Sequence, residues 1–381
     1  MGNTSTDKLK HLDHAEDHLI NSGGDGFMHA VVTLVGVHNA ILRQNSAVRL
    51  TVKYDGAPSI VFGTHPDTNQ FFVASKSAFN KNPKINYTKD DVVANHGHAP
   101  GLVDKLVQAL EYLPKVTPAG RIFQGDLMYT SSDLIVSDSK VSFKPNTITY
   151  SVEKVSKTGC KIIASKLGVA IHTEYINMKA TFGPDLSEFL DHPDVHVIST
   201  VVDPCAANYS GSMQKKFLSD IEKAVNLHKK HNYKHLSECE HLATYINDTV
   251  KTGETPSASG LITHVKKRGE LQKSKLKTER GKAAADEKTK AIANHIRLNR
   301  TAFNTSFKMY KYIQNAKHVQ VSALANVNGG FEHRINGKLS GPEGHVAIIG
   351  NKPTKLVDRT TTGFAALNAL SGGIRNIKKN K

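Results

Sequence analysis

Two rhythms of apolar positions organise the first half of the chain. Phe27, Val31, Leu34, Val37, Ile41 and Leu42 recur every three to four residues, which puts them on one face of an α-helix. A shorter helical piece precedes it, over 11–21, and ends at Gly23-Gly24. At Ala47 the period drops to two. In AVRLTVKYDGAPSIVF, Val48, Leu50 and Val52 alternate with Arg49, Thr51 and Lys53, as in a half-buried strand. Asp55-Gly56 is a turn dipeptide and residues 59–62 resume a strand, so the pattern predicts a tight hairpin that presents Lys53 at its end.

Further strands are expected at 71–74, running into Ser75-Lys76-Ser77, and at 121–129, 141–143, 147–152 and 168–173. An amphipathic helix is expected over 104–113, with Leu106, Val107 and Leu110 on one face. Residues 26–175 thus read as an α+β domain built on antiparallel hairpins. Residues 205–320 return to helical spacing, broken by a loop at 252–260. After Ala323 β character reappears, with a turn at 341–344 and strands at 345–349 and 354–357. The tail, 371–381, is Gly-rich and then basic, the composition of a disordered end. The organisation expected is a core over 1–200, a basic helical insertion over 201–325, and the end of the core over 326–381.

Composition changes this picture in one respect. Across 381 residues, 39% hydrophobic and 22% charged content is ordinary for a globular chain, but the net charge of +16 is not. Most of the excess lies in 266–318, where 11 lysines and 4 arginines meet 4 acidic residues, a net +11. Phe307, Tyr310 and Tyr312 interleave with these cations, which suggests RNA or DNA bound through its phosphates with some stacking. Cys160, Cys205 and Cys239 are too few and too far apart for a disulfide framework. No run of 18 apolar residues and no apolar leader is found, so a cytoplasmic protein without a membrane span is expected (host cytoplasm if viral). The pattern at Met1-Gly2-Asn3-Thr4-Ser5-Thr6 is a loose match for N-myristoylation, a modification that anchors poorly alone. His96 and His98, like His192 and His196, lack accompanying Cys or carboxylates and read as loop histidines. Neither a Walker A sequence, nor G-x-G-x-x-G after a strand, nor G-x-S-x-G occurs.

The order of the remaining motifs resembles the covalent nucleotidyltransferases: ATP-dependent polynucleotide ligases and capping enzymes. Lys53-Tyr54-Asp55-Gly56 is similar to their K-x-D-G, whose lysine attacks a nucleotide α-phosphate. The resemblance implies that Lys53 is the nucleophile and that Val52, Asp55 and Gly56 flank the nucleotide. It also makes Lys76 the following basic position and Gly125-Asp126-Leu127 the G-E-L element, with Asp126 in place of Glu on the ribose. Tyr150 becomes the base-stacking aromatic, with Phe143 second. Glu343-Gly344 looks like the E-G motif and a magnesium ligand, and Lys355 the first lysine of K-x-K. The second lysine of K-x-K is missing, and Arg359 or Lys352 stands in for its charge. The implied fold is a ligase-type core of antiparallel sheets with flanking helices, using ATP and Mg²⁺.

The chemistry asks for the same residues. A lysine is protonated at neutral pH and cannot attack until its pKa is lowered, for which Lys355, Lys76 and Mg²⁺ are the available cations. Those cations also suit the charge that builds on the transferred phosphate. Only 22 residues follow Arg359, too few for the OB-fold that capping enzymes and typical DNA ligases carry there. The expectation is therefore an ATP-dependent RNA ligase of the phage type. The alternatives are a DNA-nick ligase or other ligase-fold nucleotidyltransferase, and a non-catalytic basic nucleic-acid-binding protein.

Overall fold

The computed structural model describes residues 12–359. The patterns at residues 1–6 and 371–381 lie outside them. The helix α1 (Asp17–Ile41) leads into strands β1 (Arg49–Lys53), β2 (Ser59–Thr64) and β3 (Phe71–Ser75). The two helical pieces expected before β1 are joined in α1, and Gly23 marks the kink between them with φ of 57°. Helices α2 (Lys89–His96) and α3 (Pro100–Tyr112) precede β4 (Ile122–Thr130), β5 (Ile135–Val136), β6 (Lys140–Phe143) and β7 (Thr149–Glu153). After α4 (Lys157–Ala164) come β8 (Leu167–Ile176), β9 (Lys179–Phe182) and β10 (Val195–Ser199). Six helices then follow: α5 (Gly211–His228), α6 (Lys234–Ser237), α7 (Leu242–Thr252), α8 (Ala258–Lys273), α9 (Glu279–Leu298) and α10 (Arg300–Ala323). The described chain closes with β11 (Glu332–Ile335), β12 (Lys338–Ser340), β13 (Gly344–Ile349) and β14 (Lys352–Leu356).

The protein is α+β, and the described residues form three sheets. A small antiparallel sheet has the order β1-β13-β14. A six-stranded sheet runs β10-β8-β4-β2-β3 with β9 beside β8, and its β10–β8 pair is parallel. The third sheet is β12-β11-β7-β6-β5.

The expected hairpin is therefore not one. β1 and β2 lie in different sheets, and Asp55-Gly56 is the crossing between them. The turn dipeptide was a local cue, whereas pairing partners are fixed by what covers each strand. β1 finds its partner 290-odd residues later in β13, with Lys53 opposite Gly344. Its other edge bonds to the segment after β10, where the Val52 amide donates to the Thr200 carbonyl at 2.8 Å. One strand thus belongs to the small sheet and borders the large one.

Helices α5 to α10 do occupy the expected segment, but they do not pack by themselves. Leu19, Phe27 and Leu34 of α1 share one hydrophobic cluster with Phe217, Phe303 and Ile313, and Leu50, Ala347 and Leu356 of the small sheet belong to it too. Beneath this cluster Glu16 and Lys317, both wholly buried, pair at 2.7 Å. Arg359 donates to Glu16 at 2.8 Å, to Asp17 at 2.7 Å and to the Tyr310 hydroxyl at 2.9 Å. Burial pushes the Glu16 carboxyl up, and the charges of Lys317 and Arg359 outweigh it and hold Glu16 ionised. Cys160, Cys205 and Cys239 are free thiols. No helix among the described residues is long and apolar enough to cross a membrane.

Removing one partner from this cluster leaves a buried charge uncompensated. Glu16→Ala is expected to lower unfolding free energy by about 3–5 kcal/mol, read as a shift of the urea midpoint. An unchanged midpoint would show that water reaches Lys317.

Candidate active site

Between the small sheet and the large one lies a cavity of about 390 Å³. Side chains alternate across a strand, so each strand lends every second residue to it. Thr51 and Lys53 come from β1, Val346 and Ile348 from β13, Gln124 and Asp126 from β4, and Ala170 and His172 from β8. Lys355 of β14, Ser59 of β2, Phe182 of β9 and Lys76 complete most of the lining. A second, open cleft of about 450 Å³ adjoins it and shares Lys53, Tyr54, Ser59, Lys76 and Asp126. Lys53, Lys76 and Asp126 lie at the end shared with the cleft, and the rest of the lining mixes Phe182, Val346 and Ile348 with Thr51, Gln124, His172, Thr173 and Lys355.

Lys53 ends β1 half-buried, with its ammonium bonded to the Glu343 carboxylate. Glu343 directly precedes Gly344, the register partner of Lys53, so the β1–β13 pairing itself brings the two side chains together. Burial lowers the Lys53 pKa, but the charge and hydrogen bond of Glu343 outweigh it, with smaller help from Asp126 and Asp55. The ammonium is therefore held above its ordinary range. This reverses the expectation that neighbouring cations leave Lys53 acidic: Lys355 is near, but Glu343 is nearer. Lys355 itself is lowered, first by burial and then by the Lys53 charge.

Asp126 stands opposite Ser59 on β2 and Ala170 on β8. Burial pushes its carboxyl up, and interactions with His172, Ser59 and Lys53 outweigh this and hold it below the usual range. His172 lies two residues from Ala170 and so shares its face of β8. β8 bulges beside it: Gln124 pairs with Thr173 and Gly125 with Ile171, which leaves His172 without a partner on β4. The two motif glycines surround the same carboxylate. A Cβ on Gly56 would lie 2.6 Å from Asp126 Cβ, and one on Gly125 would lie 2.5 Å from the Ala170 carbonyl oxygen. Both positions therefore need glycine for close approach, rather than for a turn.

Asp55 does not face the cavity as a nucleotide contact. Its buried carboxylate accepts from Asn146 Nδ2 at 2.8 Å and from the amides of Thr147 at 2.8 Å and Ile148 at 3.2 Å. Its own amide donates to the Tyr150 hydroxyl at 2.7 Å.

Lys53, Val52, Lys76, Asp126 and Lys355, expected as site residues, all line the cavity, and Asp55 and Gly56 border the adjoining cleft. Glu343 joins them through Lys53. Three others sit elsewhere. Tyr150 has no exposed surface, and lies with Phe143 and Phe331 in the core of the third sheet, so it cannot stack on a base. Its alternating β pattern was that of a core strand. Arg359 is committed to Glu16, Asp17 and Tyr310. Lys352 is exposed at the start of β14 and does not line the cavity.

Phe182 and His172 are the rings that face the cavity in Tyr150's stead, together with the buried Tyr54. Neither was identified from the sequence. Phe182 belongs to a short strand outside the recognised order, and His172 lies on an expected strand whose cavity-facing side the sequence does not mark. Of the histidines read as loop residues, His96 instead ends α2, and His196 lies on β10, where its ring bonds the Tyr129 hydroxyl at 3.0 Å.

Residues 7–370 match a single family profile. The chain belongs to DUF6267, a family of unknown function. No curated protein and no solved structure matches it. Among the described residues no three His, Cys, Asp or Glu side chains cluster as a protein-only metal site. A magnesium ion does not require one, since it keeps several waters and takes one or two carboxylates together with substrate phosphates. Glu343, paired with Lys53, and Asp126 in the cavity lining are the carboxylates placed for that kind of site.

The charge balance at Lys53 can be measured directly. In Glu343→Gln, burial and the Lys355 charge remain while the counter-charge is lost, so the Lys53 pKa falls. Each unit of fall raises the neutral amine about tenfold in mildly alkaline buffer. Mass-spectrometric counting of amine-reactive labels should show Lys53 modified at least that much faster in the variant. Equal rates would mean that Glu343 does not hold the proton.

Proposed function

We propose that the chain is an ATP-dependent RNA ligase that works through a lysyl–AMP intermediate. The reading is carried by one observation: Lys53, Lys76, Asp126 and Lys355, spread over some 300 residues, line a single cavity. Its volume suits a nucleoside, and Lys53 and Lys76 stand at the end that opens to the cleft, where phosphates would lie.

In this scheme ATP enters with its base in the apolar part of the cavity, against Phe182 and His172, and Asp126 accepts from a ribose hydroxyl. Lys76 and Lys355 draw the phosphates towards Lys53. Glu343 is drawn away from Lys53, the ammonium gives its proton to solvent in the adjoining open cleft, and the freed amine attacks the α-phosphorus. A P–N bond forms, the bond to the β-phosphate oxygen breaks, and pyrophosphate leaves. Glu343, once released from Lys53, would hold a magnesium ion, which would supply charge stabilisation for the phosphates. The AMP then passes to a 5′-phosphate oxygen as the P–N bond breaks. A 3′-hydroxyl attacks that activated 5′-phosphate, joins the strand and releases AMP.

The Lys53–Glu343 pair favours a second reading, in which the chain binds a nucleotide and nucleic acid without transfer, because it keeps the nucleophile protonated. The two readings part on one experiment. Incubated with α-³²P-ATP and Mg²⁺, wild-type protein should give a labelled band that survives denaturation, and Lys53→Ala should give none. Equal labelling of the two would remove Lys53 as the nucleophile, and no labelling of either would favour the second reading. Phe182→Ala, which removes a stacking surface, is expected to weaken ATP about 5- to 150-fold, measured as the ATP concentration for half-maximal labelling. Joining assays with RNA and DNA ends then separate an RNA ligase from a DNA-nick ligase.

A further inference from the structure

The basic segment of the helical region does not present the mixture of cations and rings that its sequence suggests. Phe303, Phe307 and Tyr310 are core residues, and Lys317 is buried against Glu16. What remains outside is a hairpin. α8 and α9 are antiparallel neighbours, so tightly apposed that a Cβ on Gly269 would lie 2.2 Å from Thr289 Oγ1. Lys273 and Asp286 pair across them nearer the tip.

Val265 and Ile292 are the last residues of the pair to touch the hydrophobic core, and between them only Gly269 and Ala285 are buried. The hairpin is therefore an arm, extending about 13 Å from Val265 to the end of α8 at the helical rise. Over 266–290 it carries 10 basic residues against 4 acidic ones. Lys273, Lys282 and Lys288 have carboxylate partners. Lys266, Lys267, Arg268, Lys275, Lys277, Arg280 and Lys290 are exposed, with no carboxylate of the described residues within 4 Å. The arm contains no Phe, Tyr or Trp.

That combination selects among nucleic-acid ligands. Proteins that hold single strands combine cations with aromatic platforms on which bases stack. Cations without platforms read only phosphates, and phosphates are densest and most regularly spaced on a double helix. We propose that the α8–α9 arm grips the phosphate backbone of double-helical nucleic acid, as in a base-paired stem that carries the end to be joined. The stem being RNA rests on the ligase reading, whereas the grip itself needs neither Lys53 nor ATP.

The test measures binding of full-length protein to an RNA duplex of roughly 20 base pairs, the same DNA duplex, a single strand of equal length, and phosphatidylserine vesicles, across a salt series. The duplexes should bind at least tenfold tighter than the single strand. Preference for RNA would point to A-form geometry as what the arm follows, and equal binding to phosphate spacing alone. Replacing Lys266, Arg268, Lys275 and Lys277 by Gln should flatten the log–log salt slope by about 3 to 4. Replacing the three lysines by Arg, which keeps the charge, should leave it unchanged and controls for folding. Tighter or equal binding of the single strand, a wild-type slope in the Gln variant, or capture of vesicles in preference to duplexes would overturn the proposal. Lys53 labelling in the same Gln variant keeps the two questions apart: duplex binding without any adduct refutes transfer alone, and an adduct without duplex preference refutes the arm alone.

Discussion

The carboxylate of Asp55 is the point on which the architecture turns. It leaves the small sheet at the end of β1, and it anchors the β6–β7 turn of the third sheet through three hydrogen bonds. One residue later, Gly56 lets the chain pass against Asp126 of the large sheet. Three sheets are thus tied together within three residues of Lys53. Buried amides left without this acceptor would each carry a desolvation cost of about 1–3 kcal/mol, so the crossing has little freedom to move. Lys53 owes its fixed position to this neighbour, although nothing in Asp55 touches the cavity directly.

Much of this was legible in the sequence, and the limits are physical. The period-two runs gave β1, β2, β4, β7 and β8, and the three- to four-residue spacing gave α1 and α3, because local burial imposes those periods on the chain. Of the cavity residues found from the sequence, Val52, Lys53, Asp126 and Lys355 lie on strands, and Lys76 directly follows one. Pairing between distant strands leaves no local trace, so Asp55-Gly56 was taken for a hairpin when it is a crossing. Burial misled in the opposite sense for Tyr150 and Tyr310. An aromatic in a β run or among lysines has the same letter whether it faces a ligand or a core. His172 lay on an expected strand, but the period alone does not say which face of that strand looks into a cavity.

Charge shows a similar division of labour. The excess of cations splits into three groups with different physics: Lys317 and Arg359 balanced inside the protein, Lys53 and Lys355 gathered at a cavity, and the arm's cations left in solvent. Only the last group is screened by salt over the Debye length, about 8 Å in physiological buffer, so ionic strength acts mainly on association rather than on the folded core.

The separation of β1 from β13 also sets an order of events during synthesis. Lys53 meets Glu343 across 290 positions of chain, and Arg359 near the other end locks onto Glu16 and Asp17 close to the first described residue. Until translation has passed β14, β1 has no partner on one edge and the cavity has only one wall. A ribosome adding residues at about 5–20 per second leaves that edge open for some tens of seconds. The nascent chain must therefore keep an unpaired, half-apolar strand from meeting another copy, and the alternation of Arg49, Thr51 and Lys53 along β1 supplies polar groups against such premature pairing.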